Sequence, residues 1–260
     1  MPQHRPRKRF GQHFLHDRQV IDRIIAAIAP APGQYMIEIG PGKGALTLPL
    51  LQHLGELHVV ELDRDLAGDL QRRCQDFGRL HVYFQDALDF DFGGFMPNHN
   101  TLRIVGNLPY NISTPLIFHL LKAAWRITDM VFMLQREVVE RLCAVPGNKT
   151  YGRLSVTVQA GCRVEKLFSV GAGSFTPPPR VESAMVKFTP LPASTIQNEE
   201  IFAGIVRRCF SLRRKILRNA LKDFVDERQM TDLGINPGLR PEQLTVEQFI
   251  RLANNVKRDS

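Results

Sequence analysis

From Tyr35 onward the chain alternates short apolar runs with stretches of helical periodicity, and this alternation constrains the fold more than any other feature. Tyr35–Ile39, His58–Leu62, Leu80–Phe84, Leu102–Val105 and Met130–Leu134 read as buried strands bounded by turn residues. Helices are expected over 18–29, from the glycine-rich segment through Leu54, and over 64–76, 113–125 and 137–143. Strands alternating with helices imply an α/β fold built on a parallel, doubly wound sheet. Two later runs, at 154–160 and 181–188, are expected to join as antiparallel strands. Residues 189–199 mix Pro, Ser, Thr, Gln and Asn and read as a linker. Residues 200–260 carry helical patterns without strand runs. The expected organisation is therefore residues 1–190 as an α/β domain with a basic N-terminal arm and 191–260 as a small all-α domain.

The chain has 260 residues, 43% of them hydrophobic, enough for an ordinary core. No apolar run approaches the ~18 residues that a membrane span needs. Arg5, Arg7, Lys8 and Arg9 are not followed by an apolar stretch, so the N-terminus does not read as a secretory signal. The four cysteines have no Cys-x-x-Cys spacing and no accompanying His cluster. Buried thiols in a reducing cytosol, a cytoplasmic location and no metal site are the expectation.

A net charge of +8 speaks to partners. It is concentrated in Arg207, Arg208, Arg213, Arg214, Lys215, Arg218 and Lys222, with no acid after Glu200 until Asp223. On a continuous helix Arg207, Arg214, Arg218 and Lys222 share one stripe, backed by apolar Phe202, Ile205, Leu212, Ile216 and Leu217. A basic run without counter-charge, in a chain that also has a basic arm, favours contact with nucleic-acid phosphates over a merely solvated face.

Between the first strand and its helix lies Gly40-Pro41-Gly42-Lys43-Gly44. Glycines there let backbone approach a ligand closely. Gly44 follows Lys43 where a Walker A phosphate loop needs Ser or Thr, and the spacing misses the dinucleotide Gly-x-Gly-x-x-Gly. Glu61, at the end of the second strand, is placed to take both ribose hydroxyls or to remain a rim charge. Asp86, just past the third strand, either accepts from an adenine amino group or caps a turn. Glu38, inside a strand, must be paired or ligand-linked, organising either the loop or the arm.

The fourth strand ends in Asn107-Leu108-Pro109-Tyr110. An adenine amino nitrogen is a poor nucleophile because its lone pair is delocalised into the ring. The Asn107 side-chain oxygen and the Leu108 carbonyl offer two acceptors that localise it. Pro109 biases Leu108 to an extended conformation. Tyr110 offers a stacking face, worth roughly 1–3 kcal/mol per base. Together with the glycine loop, this tetrapeptide points to methyl transfer from S-adenosylmethionine to an exocyclic nitrogen, driven by positioning and preorganised dipoles.

Gly11-Gln12-His13-Phe14-Leu15, Glu38-Ile39-Gly40-Pro41-Gly42-Lys43-Gly44-Ala45-Leu46-Thr47, Asn107-Leu108-Pro109-Tyr110-Asn111-Ile112-Ser113 and Phe175-Thr176-Pro177-Pro178-Pro179-Arg180-Val181 occur in order. Over nearly its whole length the chain resembles the KsgA-type small-subunit ribosomal RNA adenine dimethyltransferases. The resemblance implies a Rossmann-like S-adenosylmethionine-dependent methyltransferase sheet with a small all-α C-terminal domain that binds rRNA. It implies dimethylation of two adjacent adenosines near the 3′ end of 16S rRNA, and a late role in small-subunit assembly, by a monomer without a metal. His13, Leu15, Gly40, Glu61, Asp86 and Asn107 would contact S-adenosylmethionine. Asn107, Leu108, Tyr110 and Phe175 would hold the adenine, with Tyr110 and Phe175 stacking on it; Phe175 has the alternative of packing its own proline-stiffened loop. His13 stands where the family usually has Asn, so a titratable ring replaces an amide. The rival readings are an rRNA-binding assembly factor whose catalysis is dispensable, and a large-subunit rRNA methyltransferase.

Overall fold

A computed structural model describes residues 13–95, 101–192 and 195–256. The basic arm and Gly11-Gln12 lie outside the described residues. In chain order the elements are β1 (Phe14–Leu15), α1 (Arg18–Ile28), β2 (Tyr35–Ile39), α2 (Thr47–Leu54), β3 (Glu56–Val60), α3 (Arg64–Cys74), β4 (Arg79–Tyr83), β5 (Leu102–Asn107), α4 (Ser113–Leu121), β6 (Ile127–Gln135), α5 (Arg136–Leu142), α6 (Arg153–Gln159), β7 (Cys162–Val170), β8 (Phe175–Thr176), β9 (Ser183–Pro190), α7 (Glu199–Ser211), α8 (Leu217–Ala220), α9 (Glu227–Asp232) and α10 (Val246–Asn254).

Seven strands form one sheet in the order β4-β3-β2-β5-β6-β9-β7. The pairs from β4 through β6 are parallel, and β9 joins β6 antiparallel. The chain steps outward from β2 to β3 and β4, then returns to lay β5 and β6 on the other side of β2. The carboxyl ends of β2 and β5 are thus a topological switch point, where such sheets bind ligands. β2 and β5 approach so closely that a Cβ on Gly106 would lie 2.5 Å from the Ile39 carbonyl oxygen. Only glycine fits there.

Local chemistry explains the element ends. Asp17 caps α1 by accepting from the amides of Gln19 and Val20. The apolar face of that helix buries Ile24, Ile25 and Ile28 in a core shared with Leu50, Leu57, Val105, Val131 and Met185. Beneath it, Arg103 makes a two-pronged pair with Asp129 (2.7 and 3.0 Å) and donates to the carbonyls of Ile28 and Ala29 and to Gln34. One buried guanidinium so ties α1 to β5 and β6.

The chain divides into two compact units, one made of residues up to Val139 plus Glu165–Pro190, the other of Glu140–Val164 plus the residues from Leu191 on. This differs from the sequence boundary in one respect: 140–164 groups with the C-terminal helices. Its expected strand at 154–160 is the helix α6. Alternating Val156 and Val158 suggest a strand, yet Val156, Ala160 and Tyr151 pack in one cluster with Phe202, Ile205 and Phe249. The Tyr151 hydroxyl donates to the Leu244 carbonyl (2.9 Å), and the Ser155 hydroxyl accepts from the amide of Gly152 while donating to the Arg141 carbonyl. Tertiary partners therefore override local strand preference. The strand β7, which follows, is not expected from the sequence.

The basic segment is also broken. α7 ends at Ser211 and α8 begins at Leu217, so Arg207, Arg214, Arg218 and Lys222 do not form the stripe of one helix. Cys74, Cys162 and Cys209 are buried free thiols, and burial pushes Cys162 and Cys209 up to about 12. Among the described residues no helix is long and apolar enough to cross a membrane.

Candidate active site

A cleft opens at the switch point in the first unit. His13, Leu15, Gly40, Glu61, Asp86, Asn107, Leu108 and Tyr110 all line it. Residues far apart in sequence meet there because β2, β3 and β5 end on one edge of the sheet.

The glycine loop is held from two sides. Glu61 is 7% exposed and accepts from the Gly42 amide at 3.2 Å and from the Asp63 amide at 2.9 Å. Each oxygen takes one N–H and keeps a lone pair for a ligand hydroxyl. Burial raises its pKa, opposed by those amides. Glu38 is 2% exposed and accepts from the Thr47 hydroxyl at 2.6 Å. It is thus linked to the start of α2, which resolves its role in favour of the loop. Desolvation raises the Glu38 pKa to about 8 against the Thr47 hydrogen bond, and nearby Glu61 adds to the rise.

β1 lies across the loop. A Cβ on Gly42 would meet the Phe14 ring at 3.3 Å, and the Lys43 ammonium sits 4.7 Å from that ring's centre. Phe14 lines the cleft as well, a residue of the Gly11-Gln12-His13-Phe14-Leu15 motif for which no ligand contact is expected from the sequence. β1 is held by antiparallel pairing with β8, by the His16 amide donating to the Ser174 carbonyl, and by His13 Nδ1 donating to the Pro177 carbonyl at 2.8 Å. His13 is thus engaged through its ring with the proline loop and through its carbonyl with Asn107.

The Asn107 carboxamide nitrogen donates to the His13 carbonyl at 3.1 Å. A carbonyl can only accept, so this bond sets the amide orientation and leaves Oδ1 as the acceptor. Leu108 is buried, its amide bonded to the Met133 carbonyl. The half-buried Tyr110 hydroxyl hydrogen-bonds Ser183 Oγ at 2.7 Å, and its ring centre lies 5.7 Å from that of His13. Burial raises the Tyr110 pKa, so the phenol stays neutral. Ser183 on β9 carries no signal in the sequence. Asp86 Oδ1 closes a turn by accepting from the Leu88 amide, the turn role considered for it, and the residue also lines the cleft.

Phe175 is the exception. It is 2% exposed, pairs with Leu15 and belongs to the core cluster, outside the cleft lining. The structure gives it the loop-packing role and corrects the expectation of a presented ring: the β1–β8 pairing turns its side chain inward.

The donor set suits a nucleoside-type ligand. It combines a glycine-bounded backbone loop with carboxyl groups for hydroxyl and amino groups.

The basic residues of the second unit fall into two groups. Arg208 pairs with Asp223, Arg213 lies 3.7 Å from Glu242, and Arg218 lies 3.6 Å from Glu227. The expectation of a run without counter-charge fails for these three. Arg207, Arg214, Lys215 and Lys222 are exposed and have no ion pair among the described residues.

Known proteins resemble this chain over most of its length. A family model described as ribosomal RNA adenine dimethylase matches residues 3–258. A protein of Alcanivorax borkumensis named ribosomal RNA small subunit methyltransferase A is 52% identical over 98% of this chain and 91% of its own length. One of Pseudomonas aeruginosa with the same name is 52% identical over 98% and 96%. A solved dimethyladenosine transferase of Plasmodium falciparum superposes with a TM-score of 0.82 at 28% identity, covering 92% of this chain and 96% of that one. The 23S rRNA methyltransferase ErmE shares the fold, with a TM-score of 0.70 at 24% identity over 94% and 99%. The α/β sheet is thus the Rossmann-like sheet of S-adenosylmethionine-dependent methyltransferases, and by its full-length match the chain belongs to the ribosomal RNA adenine dimethylase family.

Proposed function

We propose that this protein dimethylates the N6 amino groups of two adjacent adenosines near the 3′ end of 16S rRNA, acting as a cytoplasmic monomer late in small-subunit assembly. The observation that carries the reading is the Asn107–His13 hydrogen bond, which engages one amide N–H and leaves Oδ1 as an acceptor on a residue that lines the cleft together with Tyr110. The names of the 52% identical relatives support the small subunit as the context.

S-adenosylmethionine, when bound, supplies an electrophilic methyl group on a sulfonium. His13, Leu15, Gly40, Glu61, Asp86 and Asn107 would hold it. Glu61 orients the ribose hydroxyls with the lone pairs that Gly42 and Asp63 leave. Asp86 offers its second oxygen to the adenine amino group. Asn107 Oδ1 and the Leu108 carbonyl accept from the target amine, localising its lone pair. Tyr110 stacks on the target base, and the Ser183 hydrogen bond holds its ring. No general base of raised strength is required, because the attacking nitrogen meets a cationic donor and preorganised acceptors carry the rate. Arg207, Arg214, Lys215 and Lys222 provide contacts to rRNA phosphates, and no metal enters the reaction.

The test is methyl transfer from labelled S-adenosylmethionine to undermethylated small subunits, with large-subunit RNA as control and nucleoside analysis of the product. Dimethyladenosine in the small-subunit RNA is the expected result. Label in large-subunit RNA, or subunit binding without label, overturns the reading.

A further inference from the structure

Away from the cleft, the pairing of β3 with β4 gathers a second set of donor atoms. These strands are parallel, with Glu56 opposite Arg79 and His58 opposite His81. Residues two apart on a strand share a face, so Glu56 and His58 project from the same side of β3 and His81 joins them from β4. One donor atom from each of the three lies within 4.8 Å of the other two. The imidazoles stack with centres 4.6 Å apart and planes at 14°. His81 Nε2 is 2.7 Å from Glu56 Oε1, and His58 Nδ1 is 3.2 Å from the Tyr83 hydroxyl. The Phe95 ring packs edge-on against His58 at 5.0 Å.

We propose that Glu56, His58 and His81 form a binding site for a divalent transition ion of the zinc class, separate from the methyl-transfer cleft. Two imidazoles and a carboxylate are a donor set that zinc accepts in tetrahedral geometry, with water in the fourth position. Imidazole nitrogens select such ions over magnesium and calcium, which prefer oxygen. The surroundings fit in two ways. Tyr83 supplies an outer hydrogen-bond partner that holds the orientation of the His58 ring. His58 is only 9% exposed, whereas the His81 and Glu56 side chains are 36% and 48% exposed, so an anchored ligand sits beside an open approach. Arg79, two residues before His81 and on the same face, opposes the ion's charge; Glu56 favours it. On entry the ion takes the place of the proton that His81 Nε2 shares with Glu56: that proton passes to His81 Nδ1 or to solvent, the stacked rings tilt so that their lone pairs converge, and the ion bonds to each of the three side chains. β4 is the edge strand, so the ion pins that edge to β3 and stabilises the folded state by mass action.

The experiment is calorimetric titration of metal-free full-length protein with Zn²⁺, with Mg²⁺ as control, together with the visible spectrum of the Co²⁺ complex. One Zn²⁺ per chain, no Mg²⁺ uptake and cobalt d–d bands without thiolate charge transfer are expected; the last separates this site from the cysteines. Affinity falls at least tenfold in His81→Ala and in Glu56→Gln. Both side chains reach solvent, so the variants fold and retain methyl transfer, checked by circular dichroism and labelled-methyl assay. Absence of stoichiometric Zn²⁺ uptake by the native protein overturns the proposal, as does uptake unchanged in both variants or a thiolate band in the cobalt spectrum.

Discussion

The side chain of Asn107 and the backbone of His13, separated by 94 residues, are joined by a 3.1 Å hydrogen bond that turns the carboxamide nitrogen to β1 and leaves Oδ1 free of that contact. Replacing Asn107 with Ala removes both the acceptor and the tether to β1. Turnover should drop by at least about 10²-fold, the usual cost of losing one preorganised polar partner. The circular dichroism spectrum should be unchanged. Activity within a few-fold of the native protein would contradict the role assigned to Oδ1.

Glu61 spans the glycine loop and the turn after β3 through the amides of Gly42 and Asp63. Glu61→Ala leaves two amides in a desolvated site without their acceptor, at about 1–3 kcal/mol. Affinity for S-adenosylmethionine should weaken by tenfold or more, measured by calorimetry with the product S-adenosylhomocysteine. Unaltered affinity would mean that the loop is held by something else.

Glu38 makes stability depend on pH. Its folded pKa, about 8, lies above the ordinary 4.5, so between these values the folded state holds a proton that the unfolded state has lost. Stability is complete below about 4.5, falls as pH rises, and levels off above about 8. Glu38→Gln, which stays neutral, should flatten the slope of melting temperature against pH in that window. A slope equal to that of the native protein would refute the assignment to Glu38.

Arg103 and Asp129 form a buried pair that also satisfies the carbonyl end of α1. Arg103→Ala strands a buried carboxylate, whose remaining partner is Lys187 at 3.3 Å. Breaking such a pair costs about 3–5 kcal/mol. Urea denaturation should show a clearly lower midpoint. An unchanged midpoint would mean that α1 docks without the guanidinium.

Charge neutralisation should separate the two basic groups. Substituting Arg207, Arg214, Lys215 or Lys222 with Gln lowers rRNA affinity. Each phosphate left without its cation should reduce the slope of log affinity against log salt by about one. Arg208, Arg213 and Arg218 already have acidic partners, so their substitution changes the slope less. Equal slopes across both sets would argue against this division.

Much of the fold and the site can be read from local pattern, because local chemistry suffices there. Short apolar runs ending in polar residues mark β2 to β6, glycines mark the loop where backbone must approach a ligand, and Asn107-Leu108-Pro109-Tyr110 carries its chemistry within four residues. For that reason the cleft lining contains Gly40, Glu61, Asp86, Asn107 and Tyr110, whose positions suggest it, while Leu15, also in the lining, is implied by the resemblance alone. The remaining features depend on partners distant in the chain. The 154–160 segment alternates like a strand and becomes helical because Tyr151, Val156 and Ala160 find their apolar neighbours on α7 and α10. Phe175 carries the same motif either way, and only pairing with Leu15 sends its ring into the core. Asp223, Glu227 and Glu242 neutralise arginines that look unopposed in the linear chain. His58 and His81 have no recognisable ligand spacing, and the β3–β4 register alone stacks them beside Glu56. The sequence by itself determined the parallel strands β2 to β6 and the glycine loop between β2 and α2, since each rests on neighbouring residues. The tertiary structure decided which side chains are buried, paired or gathered, because burial and pairing are properties of contacts that no local window contains.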